Sequence, residues 1–310
     1  MELEVLRIFR IPLLRMFATM TTQQAYQQLF SQLQSIYDHR EADNIADLVM
    51  EKLTGWKKMD RTLHKESTMS ESQLGDLKEF SSELMNNKPV QYVLHESWFC
   101  GFKFYVDENV LIPRPETEEL VEWVIKDYKE GEKSRQGQER GPEIVDIGTG
   151  SGCIAVSIKK NIPGASVFAM DVDDNALGVA RRNANEIGAN VQFIKCNILD
   201  RKDWALVDKF DLIVSNPPYI PVREKETMTR NVLDHEPWLA LFVENEQPLL
   251  FYEAIADFAR EKLNPGGYIY LEINETEGES VPKLFRCKGF SETILRKDMQ
   301  GWDRLVRVRY

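Results

Sequence analysis

The sequence predicts an α/β protein: a largely parallel, doubly wound sheet preceded by a small helical domain. Three observations carry this. After residue 141, short β-branched and apolar runs alternate with helical periodicity, the rhythm of a parallel sheet built from βαβ units. A glycine-rich turn, Gly148-Thr149-Gly150-Ser151-Gly152, closes the first of those runs. Residues 21–87, by contrast, are polar and helical in period, without strand-like alternation. A length of 310 residues suits one large and one smaller domain.

The elements follow in order. Residues 1–20 scatter Arg7, Arg10 and Arg15 among Leu and Ile; they read as a weak basic amphipathic leader, or as sequence upstream of a true start at Met20, the preferred reading. A helical domain spans 21–88. Its apolar stripes are Leu29, Leu33 and Ile36, then Ile45, Leu48, Val49 and Leu53. Ser70 is a good N-cap for a further helix carrying Leu74, Leu77 and Phe80. Residues 89–115 crowd Tyr92, Trp98, Phe99, Phe102, Phe104 and Tyr105 between the turn signals Gly101 and Asp107-Glu108-Asn109, which predicts a linking β-hairpin. The third domain, 116–310, opens with a helix over 116–128, followed by a polar exposed loop over 129–141. Strands are expected at 143–147, 166–171, 191–195, 212–215, 267–273, near 292–295 and at 304–309, with helices at 152–160, 174–187 and 249–263.

Composition excludes several classes of function. A net charge of −11 argues against broad, salt-driven attachment to nucleic acid, which needs many phosphate-neutralising Lys and Arg. Cys100, Cys153, Cys196 and Cys287 stand far apart, with neither zinc nor disulfide spacing, so a reducing compartment is expected. Cys153 reads as a small core hydrophobe. His39, His64, His95 and His235 show no metal-ligand spacing. No apolar run approaches the roughly 18–20 residues a membrane span needs.

The chemistry gathers where strands end, which is where open α/β sheets bind ligands. Gly148, Gly150 and Gly152 have G-x-G-x-G spacing, shorter than the dinucleotide fingerprint; a turn of this kind resembles the adenosylmethionine loop of Rossmann-like methyltransferases, and taken alone it also reads as a plain strand-to-helix turn. Asp171 ends the next strand, where an acid can accept hydrogen bonds from both ribose hydroxyls. Asp173 competes for that role but also reads as a helix cap. Asn197 and Ile198 follow the third strand, at the usual place for adenine contact.

Asn216-Pro217-Pro218-Tyr219 follows the fourth strand and is the strongest signal. Two prolines fix the backbone and leave carbonyls without neighbouring N–H donors. The Asn216 side-chain oxygen and the Pro217 carbonyl can each accept one hydrogen of an NH₂ group, and Tyr219 offers a flat face to a planar amide or base. Such a pocket suits in-line methyl transfer, which needs orientation and electrostatics and neither a metal nor a nucleophilic residue.

Asn-Pro-Pro-Tyr fits amino-methylation of adenine, guanine or glutamine alike. The segments Pro89-Val90-Gln91-Tyr92-Val93, Phe102 to Tyr105 and Leu111-Ile112-Pro113-Arg114-Pro115-Glu116-Thr117-Glu118 resemble the PrmC/HemK family of release factor glutamine N5-methyltransferases, and the resemblance runs from Ala25 to Tyr310. It implies a Rossmann-like class I methyltransferase domain with a mostly parallel seven-stranded sheet whose last strand is antiparallel. It also implies S-adenosyl-L-methionine over Gly148 to Gly152, a class I peptide chain release factor as partner, and the glutamine of that factor's Gly-Gly-Gln motif beside Asn216. Neither membrane nor direct nucleic-acid binding is expected, and the expected compartment is the cytoplasm, with the mitochondrion second. Arg114 and Glu116 read equally as pocket groups or as a structural ion pair. Asn197-Ile198, where family members often carry an aromatic or acidic residue, and Asn274, where Gly is more usual, depart from the pattern. A nucleic-acid base methyltransferase and a catalytically silent binding module are the competing readings.

Overall fold

The computed structural model describes residues 20–131 and 140–310. The readings of the leader and of most of the 129–141 loop therefore lie outside the described residues. The chain divides into two compact units between Leu94 and His95.

The first unit is helical throughout: α1 (Thr22–Leu33), α2 (His39–Thr54), α3 (Lys58–Leu63), α4 (Glu71–Met85) and α5 (Val90–Leu94). The starts of α1, α2 and α4 are set by side-chain capping. Thr21 accepts from the Gln24 N–H while the Gln24 side chain returns to the Thr21 N–H, and Ser70 and Gln73 repeat this reciprocal box at α4. Leu29, Leu33, Ile45, Val49, Met50, Leu77 and Leu84 share one core. Two stripe residues do not join it: Ile36 lies beyond the end of α1 at 39% exposure, and Leu48 is 44% exposed. The buried face of α2 runs through Ala42, Ile45, Ala46, Val49 and Met50, a spacing of three and four that leaves Leu48 to one side. Val90 to Leu94 turns out helical, so the hairpin is confined to later residues.

The second unit begins with that hairpin, β1 (Ser97–Phe99) and β2 (Phe102–Phe104), joined through Cys100 and Gly101 at φ 48° and 78°. Positive φ at both central residues is the primed turn whose twist matches paired strands. Then come α6 (Pro115–Glu130), β3 (Glu143–Ile147), α7 (Cys153–Asn161), β4 (Ser166–Asp171), α8 (Asp174–Ile187), β5 (Val191–Lys195), β6 (Phe210–Ser215), β7 (Ile220–Pro221), α9 (Arg230–Leu233), α10 (Trp238–Leu241), β8 (Phe242–Val243), α11 (Leu250–Lys262), β9 (Leu263–Glu272), α12 (Ser280–Cys287), β10 (Glu292–Lys297) and β11 (Asp303–Arg309).

Seven strands make the main sheet in the order β10-β11-β9-β6-β3-β4-β5, with β11 antiparallel to both neighbours and β3, β4, β5, β6 and β9 parallel. β9 starts at Leu263 rather than 267, because Leu263 pairs with Phe210 and the Pro265-Gly266-Gly267 stretch is absorbed as a register shift. Side chains of α11 and α12 cover one face (Ile255, Phe258, Val281, Phe285), and those of α6, α7 and α8 cover the other (Leu120, Val124, Ile154, Ile158, Ala184). Among the described residues, no helix is long and apolar enough to cross a membrane. Sheet order reverses around β3, with β4 on one side and β6 on the other, so a crevice opens at their carboxyl ends.

Candidate active site

The register across the sheet brings the candidate residues together. Leu271 pairs with Ser215, Ser215 with Ile147, and Ile147 with Met170. The next residue on each strand is then Glu272, Asn216, Gly148 and Asp171, four positions abreast at the carboxyl edge. Ser215 ties two of these ends, its hydroxyl donating to the Ile147 carbonyl at 2.7 Å.

Gly148, Gly150 and Gly152 have φ of 73°, 52° and 79°, a conformation open to glycine at little cost. At Gly148 and Gly150 an added Cβ would meet nothing within 4 Å, whereas at Gly152 it would lie 3.0 Å from the Ala180 Cβ. The first two therefore face open space and the third lets α7 approach α8. The turn is held by its own surroundings. Gly148 and Thr149 donate N–H groups to the Met170 carbonyl at 2.8 and 2.9 Å, the Gly150 N–H reaches Asp171 Oδ2 at 2.9 Å, and Asn183, fully buried on α8, donates to the Ser151 carbonyl at 2.9 Å. The start of α7 has no side-chain cap.

Beneath the turn, Asp146 is fully buried. Its Oδ2 accepts from the Thr149 hydroxyl at 2.6 Å, while Oδ1 has no hydrogen-bond partner among the described residues. Burial pushes this carboxyl from 3.8 up to about 7, against the Thr149 hydrogen bond. Asp171 is also raised by burial, an effect opposed by N–H groups from Asp173, Gly150 and Val172. Asp173 caps α8, accepting from the Asn175 N–H at 2.9 Å. Open space over two glycines, a buried carboxyl with one oxygen left over and an acid at the end of β4 form a cradle suited to a cationic nucleoside.

Asn197 and Ile198 are placed differently from expectation. The Asn197 side chain accepts from the Leu199 N–H at 3.0 Å, and Ile198 is 7% exposed, packed in the core with its carbonyl on the Trp204 indole. Val172, 47% exposed directly after Asp171, and Leu199, 42% exposed directly after Ile198, are the exposed apolar side chains following these two strand ends.

On the other side of the crevice, Asn216 Nδ2 donates to Thr117 Oγ1 at 3.1 Å, and Thr117 donates onward to Glu272 Oε2 at 2.6 Å. The second Glu272 oxygen accepts from the Tyr219 hydroxyl at 3.0 Å, which fixes that ring. Burial raises both the Glu272 carboxyl and the Tyr219 phenol. Arg114 forms an ion pair with Glu236 at 2.6 Å, and the same carboxylate accepts from the Ile112 N–H at 3.4 Å; Glu116 accepts from Gln300 at 2.9 Å. Arg114 and Glu116 do not pair with each other: Arg114 takes Glu236 as its ion-pair partner, and Glu116 is engaged by Gln300. Sequence reasoning assigned no role to Asp146, Thr117, Asn183, Glu236 or Glu272. The legible signs were acids inside or ending apolar strands, and an Asn on the alanine face of α8.

Comparison with known proteins adds the lineage. The methyltransferase small domain family matches residues 134–236, and the PrmC N-terminal domain family matches 24–94. A release factor glutamine methyltransferase from Flavobacterium psychrophilum is 43% identical over 283 residues, covering 91% of this chain and 97% of that one. The chain belongs to the release factor glutamine methyltransferase family. A second member, from Bacteroides thetaiotaomicron, is 39% identical over 88% of this chain and 95% of its own. Among solved structures, the hMettl16 catalytic domain in complex with MAT2A 3'UTR hairpin 6 superposes with a TM-score of 0.51 at 16% identity, covering 78% of this chain and 82% of that one. That likeness shows the shared methyltransferase fold.

Proposed function

We propose that this family member methylates the N5 nitrogen of the glutamine in a Gly-Gly-Gln motif of a class I peptide chain release factor, using S-adenosyl-L-methionine, in the cytoplasm where translation runs. The observation that carries this reading is the orientation of Asn216. With its NH₂ end engaged by Thr117, its oxygen is the end left for a substrate. S-adenosyl-L-methionine supplies an electrophilic sulfonium methyl when bound.

The chain's own residues do the rest. Gly148, Thr149, Gly150, Ser151 and Gly152 seat the cofactor with backbone groups, Asp171 accepts from its ribose, and the Asp146 carboxylate balances its positive charge. Asn197 offers a polar edge for the adenine, and Val172 takes over the apolar contact read for Ile198, whose side chain is committed to the core. Asn216 Oδ1 and the Pro217 carbonyl accept the two hydrogens of the glutamine amide, holding its nitrogen in line with the methyl group and stabilising positive charge developing there. Pro218 and Tyr219 wall the pocket, the Tyr219 ring held by Glu272. As the N–CH₃ bond forms, the S–CH₃ bond breaks to leave a neutral thioether and the nitrogen gives up one proton to solvent. Two acceptors select a nitrogen with two hydrogens, so the product amide, keeping only one, is held less well and leaves after a single transfer.

Incubating the full chain with labelled cofactor and purified release factor, beside tRNA, rRNA and DNA, tests the assignment. Label on the release factor glutamine is expected. Label on a nucleic acid in its place would move the substrate to a base.

A further inference from the structure

Glu272 is an acid with 1% exposure at the end of an apolar strand, a costly placement unless both oxygens are satisfied. They are: Thr117 and Tyr219 each donate to a different oxygen, at 2.6 and 3.0 Å. A threonine hydroxyl has one hydrogen. Having given it to Glu272, Thr117 can only accept on its other side, and there it receives Asn216 Nδ2 at 3.1 Å.

A carboxamide in a pocket faces two ways, NH₂ outward or oxygen outward, and only the second suits a substrate that brings hydrogens. We infer that Glu272 and Thr117 form a polarity relay that holds Asn216 with its oxygen toward the substrate, making both of them positioning residues for methyl transfer. This rests on the assignment of Asn216 as acceptor of a substrate amide. If the relay runs backward, Thr117 donates to Asn216, the carboxamide turns over, and its NH₂ meets the NH₂ of the glutamine.

Neither relay residue belongs to the glycine turn. Thr117 is at the start of α6 and Glu272 at the end of β9, separated from each other by 155 positions and meeting only through the fold. Damage to the relay is therefore read in turnover and not in cofactor binding.

The test uses the full chain with release factor and labelled cofactor, comparing wild type with Thr117→Val, Thr117→Ser, Glu272→Gln and the Thr117→Val/Glu272→Gln double variant. Valine keeps the shape and removes the hydroxyl; serine restores the hydroxyl. Thr117→Val and Glu272→Gln are each expected to lower kcat by about 10²-fold, the scale of a misaimed reacting group, with cofactor Kd close to wild type. Thr117→Val, which leaves one buried Glu272 oxygen without its donor, also lowers the melting temperature, and serine restores it. Serine recovers most of the rate. Because both residues act through one chain of hydrogen bonds, the double variant falls no further than the worse single one. Wild-type kcat in Thr117→Val, losses that multiply in the double variant, or losses matched by weaker cofactor binding overturn the relay. A wild-type enzyme that leaves release factor unmethylated overturns the substrate assignment, and the relay with it.

Discussion

The two loops at the carboxyl edge of the sheet, Gly148 to Gly152 and Asn216 to Tyr219, are built on opposite plans. The glycine turn is shaped by backbone, with positive φ at three glycines and N–H groups shared with the neighbouring strand end. Its side-chain partners Asp146, Asp171 and Asn183 lie 3, 21 and 32 positions from the groups they hold, and two of the three act on the turn's backbone. The Asn216 loop instead depends on side chains brought from 99 positions away at Thr117, which itself depends on Glu272. Backbone suffices to seat a ligand whose shape is constant. Choosing which atom of a substrate is admitted requires a side chain whose orientation is imposed from outside.

Breaking each loop therefore damages a different quantity, and the largest effect is on the Asn216 side. Asn216→Ala removes one acceptor aimed at developing charge and is expected to cut kcat by about 10²- to 10³-fold, with cofactor Kd unchanged. Gly150→Val forces a β-branched residue to φ 52° and fills the open space above the turn; it raises cofactor Kd by about tenfold or more. Steady-state kinetics with equilibrium binding of the cofactor separate the two. An Asn216→Ala enzyme that loses cofactor affinity in step with kcat breaks the division between the loops.

A second effect, read in stability and not in turnover, sharpens the electrostatics of the cofactor side. Asp146 titrates in the folded protein at about 7, above its ordinary 3.8, because burial favours its neutral form. With a folded value above the unfolded one, its contribution to stability is fully present below about pH 4 and is lost as pH rises through about 7. The cofactor-free Asp146→Asn variant should gain stability relative to wild type over that window, by roughly 2–4 kcal/mol, and the gap should then level off. Denaturant unfolding of both proteins across the window checks the sign. A gap that does not change with pH removes Asp146 as the cause. Saturating cofactor, with its positive charge, is expected to shrink the gap by favouring the carboxylate in the wild type.

The same contrast explains what could be read from the chain. Strands β3, β4 and β5 are bounded as their apolar runs suggest: β3 and β4 are short strands paired on both sides in the buried parallel sheet, and β5 is the short edge strand beside β4. Gly148 to Gly152, Asp171 and Asn216 to Tyr219 announce themselves because their residue types are required by local backbone geometry or sit at strand ends. Thr117 and Glu236 do not, since their roles exist only once α6, β9 and the segment after β7 have been folded beside one another; Glu272 shows only as an acid ending an apolar strand, its partners invisible until then. Ile198 shows the same limit from the other side. Its position after β5 suggests a ligand contact, whereas in the fold its side chain packs in the core and its carbonyl accepts from the Trp204 indole.

The smallest effect settles a choice between two acids two residues apart. Asp171 and Asp173 both follow the glycine turn at a distance suited to a ribose acid, and only geometry separates them. Asp171 braces the Gly150 N–H, whereas Asp173 caps α8. Asp173→Ala therefore costs about 1 kcal/mol as a lost N-cap. In a domain of this size that lowers the melting temperature by roughly 2–4 °C, with cofactor affinity intact. Asp171→Ala both frees the Gly150 N–H and removes the ribose acceptor, so cofactor affinity falls. If Asp173→Ala is the variant that weakens the cofactor, the ribose acid is Asp173 and the brace on Gly150 is structural alone.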